Sequence, residues 1–106
     1  MIREFFLGFI KIHILHYASK KAVCGVWLIK ELKRHGYAVG PSTVYPTLHR
    51  LEKVGYLKSK KVVVGGKRKI FYEITARGLK ALGKSKGKIE ELVNEVLKNK
   101  GASQHE

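Results

Sequence analysis

The stretch PSTVYPTLHRLEKVG, residues 41–55, decides how this chain is read. Val44, Leu48 and Leu51 recur at i, i+4 and i+7, which places them on one narrow face of a helix. The opposite face carries Ser42, Pro46, His49, Arg50 and Lys53. Gly55 suits the position just past a helix end, where a left-handed backbone is common. Pro41 fits the first helical position, because an N–H there has no intrahelical partner to lose. Pro46 is different. A proline five residues further on removes one backbone hydrogen bond and bends the helix. Local physics leaves a start at Pro41 and a start after Pro46 both open.

Downstream, YLKSKKVVV (56–64) and KIFYEIT (69–75) are rich in β-branched and aromatic residues and flank Gly65 and Gly66. That pattern predicts a β-hairpin. Ile70, Tyr72 and Ile74 alternate with Phe71 and Glu73, as one strand with two faces requires. Lys67, Arg68 and Lys69 crowd the predicted tip, and Lys58, Lys60 and Lys61 repeat the pattern on the first strand. Folding alone does not call for like charges at a turn. The bland alternative is a solvated turn. Thr75 is a good N-cap for a last helix over about 76–99, with Leu79, Leu82, Ile89, Leu92, Val93, Val96 and Leu97 apolar. Positions 82, 86, 89, 93 and 96 follow a heptad-like alternation, with Lys86 the polar exception. Residues 101–106 (GASQHE) read as a frayed tail.

Upstream, residues 22–35 predict a helix with Gly25, Leu28, Ile29 and Leu32 on one face and Gly36 just past its end. Trp27 projects to the side of that face. Residues 2–18 predict a helix that is apolar over most of its circumference, through Phe5, Phe6, Phe9, Ile10, Ile12 and Ile14. Such a helix is buried on two sides. In a chain this short, the second side implies a partner subunit. His13 and His16 have a spacing compatible with metal on a helix. With no carboxylate or thiol identified nearby, packing or surface is the better reading.

Composition narrows the function. The 106 residues hold 22 Lys and Arg against 8 acids, a formal net charge of +14. All of the acids are Glu; with no Asp in the chain, Asp-based phosphotransfer, Ser-His-Asp triads and EF-hand loops are excluded. Residues 53–88 carry 12 of the 22 basic side chains and a single acid, Glu73. Such an excess asks for an anionic partner. A lone cysteine, Cys24, allows no intrachain disulfide and no zinc finger, and fits a reducing compartment. The apolar stretch Phe5–Leu15 is interrupted by Lys11 and His13 and is too short to span a membrane. No nucleophile-base pair is visible, and GGKRK lacks phosphate-loop spacing. The chain reads as a cytoplasmic, nucleoid-associated non-enzyme that needs no cofactor or metal.

Pro41-Ser-Thr-Val-Tyr-Pro-Thr-Leu-His-Arg-Leu-Glu52, followed by Gly55 and Leu57, resembles the P-x-T-x-Y-P-x-L-x-R-L-E-x-x-G-x-L signature of the PadR family of transcriptional regulators. Phe71-Tyr72-Glu73-Ile74-Thr75-Ala76-Arg77-Gly78 is similar to that family's Y-Y-x-L-T-x-x-G segment, and Leu28-Ile29-Lys30-Glu31-Leu32 to part of its second helix. The resemblance covers about residues 5–97. It implies an α+β winged helix-turn-helix, with a DNA-binding domain over 1–75 and a C-terminal dimerisation helix over 76–100. It also implies that Pro46 lies inside the recognition helix, and that the last helix packs on the first helix and on its mate in a homodimer. Cys24-Gly25-Val26 stands where the family often has His-Gly-Tyr, and Trp27 replaces a usually polar residue.

The expected function is sequence-specific binding of double-stranded DNA as a homodimeric repressor. Ser42, Thr43, Tyr45, Pro46, His49, Arg50 and Lys53 would lie in or beside the major groove, with Lys67, Arg68 and Lys69 on the flanking backbone or minor groove. Arg50 has alternatives in a phosphate contact or an ion pair with Glu31 or Glu52. Tyr45 has an alternative as a half-buried ring. Phe5, Phe9, Leu82, Ile89, Val93 and Val96 form the expected dimer set. Cys24 and Trp27 are a candidate pocket for a small aromatic effector, against the blander reading of core or dimer packing. The rival functions are an architectural protein that coats DNA without sequence choice and a winged helix that docks an acidic protein. Membrane-surface binding is disfavoured, because the apolar first helix carries few cations.

Overall fold

The computed structural model describes residues 2–98. Its elements are α1 (Ile2–Lys20), β1 (Val23–Cys24), α2 (Gly25–Arg34), α3 (Pro41–Lys53), β2 (Leu57–Val64), β3 (Lys67–Ile74) and α4 (Ala76–Leu92), with a π-helical turn over Val93–Leu97. The fold is an α+β winged helix-turn-helix.

One core joins every layer. Ile10, Ile14, Leu15 and Ala18 of α1 meet Leu28 and Leu32 of α2 and Val44, Leu48 and Leu51 of α3. Val23, Leu57 and Tyr72 close it from the sheet, and Leu82 closes it from α4. The i, i+4, i+7 stripe read in α3 is therefore the side that folds the domain, which leaves its other side to solvent.

Both glycines predicted to stop helices do so by one mechanism. Gly36 has φ +90° and Gly55 φ +88°, values that a side chain at either position would strain. In each case the glycine N–H and the N–H after it bond back to helix carbonyls: Gly36 to Lys33 and Tyr37 to Leu32, Gly55 to Glu52 and Tyr56 to Leu51. This is the Schellman arrangement. Thr75 caps α4 as expected: its hydroxyl accepts from the Gly78 N–H at 3.0 Å and donates to the Gly55 carbonyl at 2.6 Å. That one side chain ties the end of α3 to the start of α4.

The structure corrects several boundaries. The second helix begins at Gly25 rather than 22, because Val23 and Cys24 form a short strand that pairs with Tyr72 and Phe71. The sheet is three-stranded in the order β1-β3-β2, not a lone hairpin. A two-residue strand has no alternation to read, so sequence pattern could not reveal it. α1 runs through Ser19 and Lys20, past the predicted end at 18. The hairpin turn is Gly65–Gly66 alone, both with positive φ, the type I′ geometry that matches strand twist. Lys67, Arg68 and Lys69 consequently lie within β3 rather than in the turn. The regular last helix stops at Leu92, and the π-helical turn breaks the heptad-like spacing beyond it. Residues 99–100 of the expected dimerisation helix and the tail 101–106 lie outside the described residues.

Candidate nucleic-acid interface

α3 is one helix from Pro41, with Pro46 inside it. Thr43 and Val44 both donate to the Gly40 carbonyl at its start. The carbonyl of Ser42, which would have accepted from residue 46, belongs to an exposed residue where water can serve instead. Thr47 is buried, and its hydroxyl donates to the Thr43 carbonyl at 2.7 Å. A proline on the outer side and a bonded threonine on the inner side make the segment tolerable as a helix.

Ser42, Pro46, His49, Arg50 and Lys53 are all exposed and share the outward face. Tyr45 is half-buried, and it sits against α2: a β-carbon at Gly25 would overlap its ring. Glycine at that position is therefore a packing requirement. Neither proposed carboxylate takes Arg50. Glu31 binds the Arg34 guanidinium at 3.0 and 3.2 Å, which holds its carboxyl below the usual range. Glu52 accepts from the Ser59 N–H at 3.2 Å and the Ser59 hydroxyl at 2.6 Å, and so fastens α3 to the first wing strand. Sequence reasoning assigned this pair no role, since a Glu and a Ser seven positions apart carry no signal before the hairpin is placed.

The wing register sorts its cations onto two faces. Across the pair β2–β3, Lys61 opposes Ile70, Val63 opposes Arg68, and Ser59 opposes Tyr72. Strand alternation thus puts Arg68 and Lys61 on the face that includes core residue Tyr72 and, through Ser59, meets α3. Lys67 and Lys69 lie on the other face with Lys58, Lys60 and Phe71. There Lys58 pairs with Glu73 at 3.4 Å. The cluster that looked continuous in sequence is split by the pleat.

Arg3 is a further residue that sequence reasoning passed over. Its Nη2 donates to Thr43 Oγ1 at 3.2 Å, which brings the first turn of α1 to the first turn of α3. It borders an open groove of about 670 Å³ between α1 and the α2–α3 loop, floored by Phe6, Ile10 and Val39.

The expected dimer set divides. Phe5, Phe9, Ile89 and Val96 are exposed, Val96 by 63%. Val93 is half-buried. Leu82 is 3% exposed and belongs to the core of its own chain, so it corrects to an intrachain residue. Cys24 and Trp27 do come together, with Lys21, Val23 and Phe71, around a cleft of about 300 Å³. That volume is at the lower limit of small-molecule sites.

His13 lies in an aromatic seam between α1 and α2, stacked on His35 at 5.5 Å and on Tyr17 at 5.8 Å, with Tyr37 edge-on at 5.3 Å. Burial, then His35 and His16, push its imidazole below the ordinary value. Burial likewise raises Tyr17, whose hydroxyl lies 3.4 Å from His13 Nδ1. Among the described residues, no three His, Cys, Asp or Glu side chains gather to hold a metal ion, and no helix is long and apolar enough to cross a membrane.

Comparison with known proteins returns one consistent group. Residues 14–84 match the model of the transcriptional regulator PadR-like family. The chain is 48% identical over 96 residues to the transcriptional regulator Rv3488 of Mycobacterium tuberculosis, a match covering 91% of this chain and 90% of that protein. A PadR family transcriptional regulator from Eggerthella lenta superposes with a TM-score of 0.79 at 30% identity, covering 92% of this chain and 87% of the other. A PadR-like transcriptional regulator from Bacillus cereus gives 0.74 at 28% identity, covering 89% and 96%.

Proposed function

Since the chain belongs to the PadR-like family of transcriptional regulators, we propose that it binds a specific double-stranded DNA site as a homodimer and acts as a repressor. The observation that carries this reading is the outward face of α3. Ser42, His49, Arg50 and Lys53 stand exposed on a helix whose other side is fixed in the core, beside a basic wing. Hydroxyls, an imidazole and a guanidinium are groups that hydrogen-bond to base edges in the major groove, and Arg50 can pair bidentately with guanine. Lys53 and the wing cations take phosphates, which fix register and supply most of the affinity. Dimerisation is supported by Phe5 and Phe9 on α1 and by Ile89 and Val96 near the chain's end, all left in water by the single subunit. Repression follows when such a dimer sits across a promoter.

The test is a footprint of the purified protein on DNA upstream of its own gene, at near-physiological salt with excess nonspecific competitor. A short, two-fold symmetric protected site is expected. Uniform coating that competitor abolishes would favour the architectural alternative, and would reduce His49 and Arg50 to phosphate contacts. The lysine excess is the observation behind that alternative.

A further inference from the structure

The exposed face of α3 has two edges, and different elements attach to each. At about 100° per residue, positions seven apart stack one above the other. Thr43 and Arg50 therefore form one edge, Tyr45 and Glu52 the opposite edge, with Ser42, Pro46, His49 and Lys53 between them. Glu52 holds the wing through Ser59. Thr43 holds Arg3 of α1 at 3.2 Å. The recognition face is flanked by basic wing strands on one side and by a guanidinium from the first turn of α1 on the other.

We propose that Arg3 is a DNA-contacting residue, which meets the phosphate backbone along the wall of the major groove opposite the wall met by the wing. The inference rests on the DNA-binding reading above. A groove about 12 Å wide admits a helix about 10–12 Å across, so a seated helix has a sugar-phosphate backbone close on both sides. The wing serves one wall. On the other, α3 itself offers only Arg50, which its position also aims toward bases. Arg3 supplies the missing cation near the N-terminal end of α3, where the positive end of the helix dipole already favours an anion. A guanidinium carries five donors in a planar fork, so the bond to Thr43 leaves others for phosphate oxygens. The Thr43 hydroxyl accepts from Arg3 and keeps its own proton to donate to the same phosphate. Anchored in this way, the long side chain loses less freedom on binding than a loose surface arginine would.

The test is phosphate-ethylation interference with the full chain on the DNA site found by footprinting. In the unmodified protein, ethylation on both walls should block binding. Arg3→Gln should weaken interference at the phosphates beside the N-terminal end of α3, on the wall away from the wing, and leave the wing-side pattern unchanged. It should also reduce the slope of log K against log salt by about 0.9 for each phosphate that is no longer neutralised. Arg3→Lys should keep most of that slope. Interference confined to the wing side in the unmodified protein overturns the proposal without any variant. So does an R3Q protein with an unchanged pattern and slope. If its melting temperature falls as well, Arg3 is only a strap between α1 and α3. An unmodified protein that selects no site at all would instead remove the DNA-binding reading itself.

Discussion

Arg50 stands in solvent while the carboxylates of Glu31 and Glu52 are engaged by Arg34 and Ser59. A surface arginine without an acid is available for a ligand, and its position on the α3 edge sets which ligand. Arg50→Ala should leave the fold intact and relax preference at one base pair of each half-site, by about 1–3 kcal/mol. Competition with singly substituted DNA sites measures this; a uniform loss across all sequences would make Arg50 a phosphate contact. Protonation of His13 bears on stability. Its folded pKa lies below the unfolded value, so the unfolded chain takes up the proton first as pH falls. Stability should be fully present above about pH 6.5 and decline as pH drops from there through the lowered folded value. His35 and His16 add to the repulsion of a charged His13, while Glu31 faces His35 at 3.5 Å. In His13→Gln, the fall in melting temperature between about pH 7 and about pH 5 should be smaller than in the unmodified protein.

At the scale of elements, the wing shows how pleat outranks adjacency. Lys67, Arg68 and Lys69 are consecutive, yet register places Arg68 on the α3-bonded face with Lys61 and the other two on the outer face. The paired variant Lys61→Ala with Arg68→Ala should therefore flatten the salt dependence of DNA binding more than Lys67→Ala with Lys69→Ala. Filter-binding titrations across salt concentrations decide it; equal slopes would mean that the wing engages DNA by its tip rather than by one face. α3 offers the complementary lesson. Its stripe of Val44, Leu48 and Leu51 was legible from spacing, because a helix buried on one side must show it. Its start was not legible from the residues alone. Whether Pro46 breaks a helix depends on what satisfies the freed carbonyl and on what the neighbouring side chains pack against. The family resemblance implied an unbroken helix, and the exposure of residue Ser42 together with the bonded Thr47 gives the physical reason for it.

For the whole molecule, apolar surface left uncovered bears on assembly. α4 has no buried residue after Leu82, while Ile89, Leu92, Val96 and Leu97 remain exposed beyond that point. An extended helix with apolar side chains in water is costly unless another surface covers it. Sedimentation at micromolar concentration should give a dimer. The paired change Phe9→Glu with Val96→Glu should give a monomer that binds specific DNA far more weakly, since each half-site would then be held alone. A monomeric unmodified protein would assign the exposed apolar residues to something other than self-association.

The buried stripe of α3, the hairpin, both glycine stops and the cationic excess are written in local pattern. Helical and strand periodicity, positive-φ glycines and composition are properties of neighbours in the chain, and they survive without knowledge of the fold. The three-stranded sheet, the Glu52–Ser59 tie, the reach of Arg3 to Thr43 and the burial of Leu82 in the intrachain core are different in kind. Each joins residues distant in sequence, or depends on which of two apolar faces its own chain covers first. Those outcomes are set by packing. A two-residue strand gains its partner only from β3, and Leu82 of α4 is buried by its own chain while Ile89 and Leu92, further along the same helix, are left outside.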